Sequence, residues 1–172
     1  MNYKFTNMNL EYANVIQNWK YGGDYSIYNY ENDEGLLDPN NWCDMYAVLD
    51  ENNELVAEVT FYNNDVPQEV DNPFEQGDMF YGQGLRPDLV GKGYGPELIS
   101  QSLSFGLAKY NYNREYILLD VISFNKRAFK AYEKCGFEFV ENYSEDCDGT
   151  VYDFIRMRYK NPKLSIDDKH LS

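Results

Sequence analysis

The stretch that decides the fold is LDVISFNKRAFKAYEKCGF, residues 119–137. It begins inside an apolar run, Tyr116–Ile122, which predicts a strand buried on both faces. Asn125 is suited to cap a helix that ends before Gly136, since Asn favours the position before the first turn and Gly the left-handed position after the last one. Tyr132 lies seven residues after Asn125, so both face the same side of that helix. The stretch therefore predicts a strand followed by a helix with polar groups on one side.

Further strands and helices are predicted on either side of this stretch. Apolar and β-branched runs predict strands, and an apolar period of about 3.6 residues predicts helices. The predicted order is β-α-α-β-β-β-α-β-α-β-β, with strands at 3–6, 45–49, 55–62, 79–85, 116–122, 137–141 and 151–159, and helices at 10–19, within 24–41, at 96–109 and at 125–135. This order predicts an α/β fold, a mixed sheet with helices on its faces. We expect one domain over residues 1–160 and a frayed tail at 161–172.

The net charge of the chain argues against two classes of binding partner. The 172 residues include 15 Lys and Arg against 29 Asp and Glu, a formal net charge of −14. Nucleic acids and anionic membrane surfaces both require clustered basic residues, so neither is a predicted partner. An acidic surface attracts cations, which fits an amine substrate.

Cysteine and histidine usage excludes several kinds of site. Cys43, Cys135 and Cys147 form no CxxC pair, and His170 is the single histidine. A disulfide framework, a zinc site and a Ser-His-Asp triad are therefore not expected, and no metal cofactor is predicted. No apolar run reaches the ~20 residues of a membrane span, and residues 1–9 lack a signal-peptide core, so a cytoplasmic protein is predicted.

A glycine-rich segment joins the predicted strand at 79–85 to the helix at 96–109. It reads RPDLVGKGYGP, residues 86–96, with glycines at 91, 93 and 95. Glycines let backbone N–H groups converge without Cβ obstruction, and a helix N-terminus adds donors, so the segment suits a pyrophosphate, with Lys92 adding charge. The P-loop pattern fails because Gly93 follows Lys92, and the Rossmann pattern fails because position 96 is Pro. A plain glycine turn before a helix is the alternative interpretation.

Both stretches resemble motifs of the GNAT superfamily of N-acetyltransferases. Residues 119–137 meet every fixed position of the pattern Asn-x-x-Ala-x-x-x-Tyr-Glu-x-x-Gly-Phe, namely Asn125, Ala128, Tyr132, Glu133, Gly136 and Phe137. The glycine-rich segment is similar to the family's pyrophosphate motif, Gln/Arg-x-x-Gly-x-Gly/Ala, with Val90 standing where Gln or Arg is usual. The resemblance covers residues 79–140 and implies a central twisted sheet of about six to seven strands flanked by about four helices.

The resemblance implies acetyl-CoA as cosubstrate. The residues expected to hold it are Gly84, Leu85, Val90, Gly91, Lys92, Gly93, Tyr94, Gly95 and Asn125. With Val90 in the motif, one side-chain contribution to the diphosphate is missing, whereas the backbone donors remain. Dimers are common in the family, so a homodimer is compatible with the sequence, which leaves the oligomeric state open.

The chemistry implied by the resemblance is attack of an amine on the thioester in a ternary complex. Tyr132 is the predicted general acid, because the family places this hydroxyl near the thioester sulfur and a phenol can protonate the leaving thiolate. Asp120 is the first candidate for the base: it is the only charge in residues 116–122, and a buried carboxylate is costly unless it is paired or functional. It also falls where ribosomal-protein alanine acetyltransferases place a glutamate. Glu58 is the second candidate, and either carboxylate could instead be structural.

The acceptor is predicted to be a small cationic amine, because residues 25–34 are acidic and rich in Tyr. Two alternatives stay open. One is acetylation of a protein N-terminus, and the other is a non-catalytic acyl-CoA-binding module, for which Val90 would be the support.

Overall fold

The computed structural model describes residues 2–30, 33–63, 73–147 and 149–164. Seven strands form one mixed sheet in the order β1-β2-β3-β4-β5-β7-β6. They are β1 Lys4–Asn7, β2 Met45–Leu49, β3 Leu55–Tyr62, β4 Met79–Leu85, β5 Tyr116–Ile122, β6 Phe137–Cys147 and β7 Thr150–Lys160. The α-helices among the described residues are α1 Leu10–Gln17, α2 Glu34–Leu37, α3 Gly95–Lys109 and α4 Lys126–Lys134. The predicted α/β class, the element order and the seven-stranded sheet are confirmed.

The chain forms two compact units, each built from two segments. Unit 1 comprises Met1–Thr60 and Gln83–Leu98, and unit 2 comprises Phe61–Gly82 and Ile99–Ser172. In unit 1, β2 pairs antiparallel with both β1 and β3. Helix α1 is capped by Asn9, whose side chain accepts a hydrogen bond from the Tyr12 backbone N–H at 2.9 Å. Its buried side contributes to a small apolar core of Met8, Ala13, Ile16, Trp19, Leu36, Met45 and Ala47.

In unit 2, β5 runs parallel to β4 for two residue pairs and antiparallel to β7 along its whole length. Helix α4 follows the sequence prediction, since Asn125 accepts a hydrogen bond from the Ala128 N–H at 3.1 Å and Gly136 adopts a φ of +92°. Helix α3 contains Gly106 because a Cβ at that position would collide with the ring of Phe61.

Two local predictions need correction. Strand β5 is fully buried along one side only, because Tyr116, Leu118 and Asp120 stay partly exposed. Strand β6 extends to Cys147 instead of ending at residue 141, since its register with β7 continues to the pair Cys147–Thr150. Its outer half is polar and exposed, so it carries no apolar alternation that a sequence pattern could detect.

The predicted tail at 161–172 is described only for its first four residues. Asn161 is fully buried, and its side-chain nitrogen donates to the carbonyl oxygens of Tyr112 and Arg114 at 3.2 and 3.1 Å. Lys163 donates to the Leu107 carbonyl at 3.1 Å. Residues 161–164 are therefore anchored in unit 2, while residues 165–172 lie outside the described part of the chain. No helix in the described ranges is both long and apolar enough to cross a membrane.

Candidate active site

A buried carboxylate lies in the middle of β3. Glu58 is only 4% exposed, because the strand is buried around it from Val56 to Val59. The Tyr30 hydroxyl donates to Glu58 Oε1 at 3.1 Å, and the Thr60 hydroxyl donates to Oε2 at 3.3 Å. Within the described part of the chain, no cation pairs with this carboxylate. In the described ranges, Glu58 therefore has hydrogen-bond donors but no counter-charge.

Burial shifts the protonation of this group. Removal from water raises the pKa of Glu58 from its usual 4.5 to about 7, and the hydrogen bonds from Tyr30 and Thr60 oppose that shift because they stabilise the ionised form. A carboxylate with a pKa near 7 can accept a proton at neutral pH and release it again, as a general base must.

Gly84 on β4 leaves the space that this carboxylate occupies. A Cβ built on Gly84 would lie 2.6 Å from Glu58 Oε1, much closer than real side-chain contacts. A side chain at position 84 would therefore have to displace the carboxylate of Glu58. The sequence predicted Gly84 as a cosubstrate contact, and the structure adds that it lies against the carboxylate of Glu58.

Two tyrosines connect the segment Tyr21–Tyr30 to strands of unit 1. The Tyr21 hydroxyl donates to the Leu85 carbonyl oxygen at 2.9 Å, and Tyr30 reaches Glu58 from the other end of the segment. Asn29 holds the two ends together by accepting the Tyr21 N–H at 2.7 Å. Burial, and next the charge of Glu58, raise the pKa of Tyr21, so its phenol stays protonated near neutral pH.

Sequence reasoning did not single out either tyrosine. Tyr30 belongs to the acidic, Tyr-rich residues 25–34, of which Glu31 and Asn32 lie outside the described residues. Tyr21 lies before that stretch, next to the glycine pair 22–23. The abundance of tyrosine was the available signal, and nothing in it distinguished these two rings from the others.

The glycine-rich segment forms an exposed turn that leads into α3. Gly91 and Gly93 have φ values of +79° and +89°, and no atom lies within 4 Å of a Cβ built on either residue. Their backbone conformation, rather than crowding, requires glycine. Helix α3 starts at Gly95, one residue before the predicted start. Pro96 has no N–H and the Leu98 N–H donates to the Tyr94 carbonyl at 3.1 Å, so the other first-turn N–H groups are those of Gly95 and Glu97. The N–H groups at the start of α3 therefore lie next to an exposed turn that also carries Lys92.

Arg86 secures the beginning of this segment. Its backbone N–H donates to the Val56 carbonyl at 2.8 Å, and its guanidinium donates to the Leu55 carbonyl at 3.0 Å. The same guanidinium pairs with Asp88 at 2.7 Å. Arg86 therefore serves as an anchor within unit 1, and Lys92 is the exposed cation of the segment.

Unit 2 contains the remaining predicted site residues. Tyr132 on α4 is 7% exposed and packs edge-on against Phe137, with ring centroids 5.5 Å apart. Asn125 uses its side-chain oxygen as the cap of the same helix. Asn125 and Tyr132 thus lie at the N-terminal end and in the last turn of the same helix.

Asp120 has a strong partner of its own. Its two carboxylate oxygens accept from Nε and Nη2 of Arg156 at 2.9 and 3.0 Å, which is a two-point ion pair. The Arg156 guanidinium also lies over the rings of Phe80 and Tyr143, 5.2 and 5.0 Å from their centroids. Asp120 therefore has a counter-charge, whereas Glu58 has none among the residues that the structure describes.

Comparison with known proteins gives the family. The sequence model of the acetyltransferase (GNAT) family matches residues 10–137. A search of curated protein sequences found no match. Among the described residues, no group of three or more side chains is arranged to hold a metal ion.

Solved structures share the fold at low sequence identity. A spermidine N-acetyltransferase chimera from Vibrio cholerae and hSSAT has a TM-score of 0.73 at 19% identity, over 95% of this chain and 98% of that chain. An acetyltransferase of the GNAT family from Bacillus anthracis has a TM-score of 0.71 at 14% identity, over 93% and 95% of the two chains. Mutant forms of the spermidine/spermine N-acetyltransferase from Vibrio cholerae have a TM-score of 0.66 at 19% identity, over 94% and 96%. The family match, together with this shared fold, shows that the chain belongs to the GNAT family and is an acetyl-CoA-dependent N-acetyltransferase.

Proposed function

We propose that the enzyme transfers the acetyl group of acetyl-CoA to an amine of a small cationic molecule, by direct attack in a ternary complex with Glu58 as the base. The observation that carries this proposal is the buried carboxylate of Glu58, which has two hydroxyl donors and no cation among the described residues. A buried charge without a counter-charge is costly, and an ammonium group bound beside it would supply the missing charge.

The distribution of charge supports a cationic acceptor. Residues 1–60 contain eleven Asp and Glu but only two Lys and no Arg. A surface with this excess of negative charge raises the local concentration of cations and speeds their arrival. Solved structures that share the fold include spermidine N-acetyltransferases, so spermidine is the first acceptor to test.

The proton must leave the amine before the amine can attack. Glu58 accepts it from the bound ammonium group, and the neutral nitrogen then forms a bond to the thioester carbonyl carbon. The carbon–sulfur bond breaks, and the Tyr132 hydroxyl protonates the departing thiolate. Solvent takes the second proton from the acylated nitrogen, returns a proton to Tyr132 and removes the first proton from Glu58, so the products are the amide and free CoA. The role of Tyr132 rests on the family motif.

Glu58 is preferred to Asp120 as the base because of their partners. Asp120 forms a two-point ion pair with Arg156, which supplies a counter-charge, whereas the donors to Glu58 in the described residues are neutral hydroxyls. Accepting a proton would break that pair. We therefore propose that Asp120 supports the sheet of unit 2, together with Arg156.

Acetyl-CoA is proposed to bind along the end of β4 and the glycine-rich segment. The backbone of Gly91, Gly93 and Gly95, with the N-terminus of α3, would hold the diphosphate, and Lys92 would add a positive charge. Gly84, Leu85, Val90, Tyr94 and Asn125 complete the proposed contacts. Val90 contributes no charge, so the backbone and Lys92 carry most of the phosphate recognition. A cytoplasmic location stays a prediction from the sequence.

Release of free thiol from acetyl-CoA tests the proposal on a panel of acceptors. The panel contains spermidine and shorter aliphatic diamines, aromatic amines that are neutral at pH 7, and peptides with free N-termini. We expect turnover with the aliphatic cations and a loss of at least about 100-fold in Glu58→Gln, as for removal of a general base.

Other results would contradict the proposal in different ways. Preferential turnover of peptides would favour acetylation of protein N-termini. Binding of acetyl-CoA without turnover of any acceptor would favour a non-catalytic acyl-CoA-binding module. Full activity of Glu58→Gln with an aliphatic diamine would exclude Glu58 as the base.

A further inference from the structure

We propose that Tyr30 is a positioning residue for acetyl transfer, because its hydroxyl group holds the Glu58 carboxylate in one orientation and in its ionised form. This inference rests on the proposed role of Glu58 and assigns a task to a residue outside the family motifs. Tyr30 itself need not touch the acceptor.

The ring of Tyr30 is well placed for this task. It packs against the apolar core of unit 1, which includes Ile16 of α1 and Met45 of β2. A phenol has only two side-chain torsions, so a packed ring fixes the position of its hydroxyl. That hydroxyl lies 3.1 Å from Glu58 Oε1, within hydrogen-bonding range.

Two other residues contact the Glu58 carboxylate and restrict its orientation. The Thr60 hydroxyl donates to Oε2 at 3.3 Å, so each carboxylate oxygen of Glu58 accepts a hydrogen bond from one of the two hydroxyls. The backbone of Gly84 lies close to Oε1 and limits its movement; a Cβ built on Gly84 would be only 2.6 Å from this oxygen. A carboxylate oxygen can accept more than one hydrogen bond, so an ammonium group can still donate to Glu58 while both hydroxyls stay bound.

The charged and titratable groups around Glu58 keep the Tyr30 hydroxyl protonated, so that it can donate a hydrogen bond. The charge of Glu58, then burial, raise the pKa of Tyr30 well above its usual value, and Asp33 adds to the shift. Tyr21, the other phenol affected by Glu58, also has a raised pKa, chiefly through burial. Both phenols are thus neutral donors across the pH range in which Glu58 titrates, and they do not compete with it for protons.

The decisive measurement is the titration of Glu58 in the free protein by carbon NMR of labelled glutamate side chains. Glu58→Gln identifies its signal. Removal of one hydrogen bond to a charged group should move the midpoint in Tyr30→Phe upward by about one pH unit. Thr60→Val should move it in the same direction. Tyr12→Phe is the matched control, since Tyr12 packs against the same core and the midpoint should not change.

The pH profile of kcat/KM for the acceptor gives the second measurement. In Tyr30→Phe, the acidic limb should move upward by the same amount as the NMR midpoint, with recovery of most of the activity at higher pH. An equal loss at every pH, with an unmoved limb, would indicate a merely structural role and overturn the inference. An unchanged NMR midpoint would overturn it as well. Full turnover by Glu58→Gln would instead remove the proposed base, whatever the Tyr30 variant shows.

Discussion

Replacement of Gly84 by alanine should displace the Glu58 carboxylate without disturbing the rest of β4. The new Cβ would lie 2.6 Å from Oε1, whereas ordinary contact begins at 3.4 Å, so the oxygen must withdraw by about 0.8 Å. Its hydrogen bond with Tyr30 starts at 3.1 Å and would be lost or badly bent. A hydrogen bond to a charged group contributes about 1.5–3 kcal/mol. We expect kcat/KM for the amine to fall about 10- to 100-fold.

Gly82→Ala is the matched control on the same strand. A Cβ at Gly82 would meet only a ring carbon of Tyr62, at an ordinary distance of 3.8 Å. Both variants should be assayed by thiol release at saturating acetyl-CoA with varied amine. Acetyl-CoA affinity should be measured separately by calorimetry, because Gly84 is also a proposed cosubstrate contact.

Two results would refute the reasoning on Gly84. One is a Gly84→Ala enzyme whose kcat/KM stays within about twofold of the Gly82→Ala enzyme, a difference of about 0.4 kcal/mol. The other is a loss that is explained wholly by weaker acetyl-CoA binding. A double variant with Glu58→Asp provides a further check: the shorter side chain leaves room for the new methyl group, so the two losses should not add.

The remaining predictions concern stability, the acid, the cosubstrate and the ion pair. Because folding raises the pKa of Glu58 from 4.5 to about 7, the folded state holds this proton more tightly than the unfolded chain, and stability falls as pH rises through that window. Glu58→Gln should therefore raise the free energy of unfolding at pH 8 by about 3 kcal/mol, seen as a higher melting temperature, and have little effect at pH 4. An equal change at both pH values would contradict the raised pKa of Glu58. Tyr132→Phe should lower kcat about 100-fold while the KM for the amine changes little, as expected for loss of a general acid, and unchanged turnover would remove Tyr132 from that role. Acetyl-CoA at 100 times its Kd should stabilise the protein by about 2.7 kcal/mol in thermal unfolding, and Lys92→Ala should weaken its binding several-fold; the absence of any shift would exclude the proposed cosubstrate site. Asp120→Asn should destabilise the fold by about 1–2 kcal/mol, because Arg156 loses a partly exposed two-point ion pair and keeps its contact with Glu141. The acidic limb of the pH profile should stay in place; a limb that moved would return Asp120 to the role of base.

The proposed base has a cost in stability. An ionised carboxylate buried beside neutral hydroxyls opposes folding, whereas the same carboxylate binds an ammonium group strongly once the group arrives. The acceptor should therefore stabilise the folded enzyme more at pH 8 than at pH 5, where Glu58 carries a proton. This dependence links the stability of unit 1 to substrate binding through a single side chain.

The local sequence determined most of the secondary structure. Asn125 and Gly136 bound α4 because a side-chain cap and a left-handed glycine act within one turn of the chain. The bounds of β2, β3, β4 and β5 agree with the apolar runs that predicted them. The outer half of β6 was not predictable, because its exposed polar residues are held in a strand by pairing with β7.

The sequence also identified the residue types of the site, and it placed Asp120 ahead of Glu58 as the candidate base. Asp120 and Glu58 each appear as a single carboxylate in an apolar strand, and the local patterns are equivalent. The difference is made by Arg156, which lies 36 residues from Asp120, and by Tyr30, which lies 28 residues from Glu58. Counter-charges and hydrogen-bond donors that come from distant parts of the chain leave no periodic signal. Only the tertiary structure therefore decided that, among the described residues, Asp120 pairs with a cation and Glu58 with two hydroxyls.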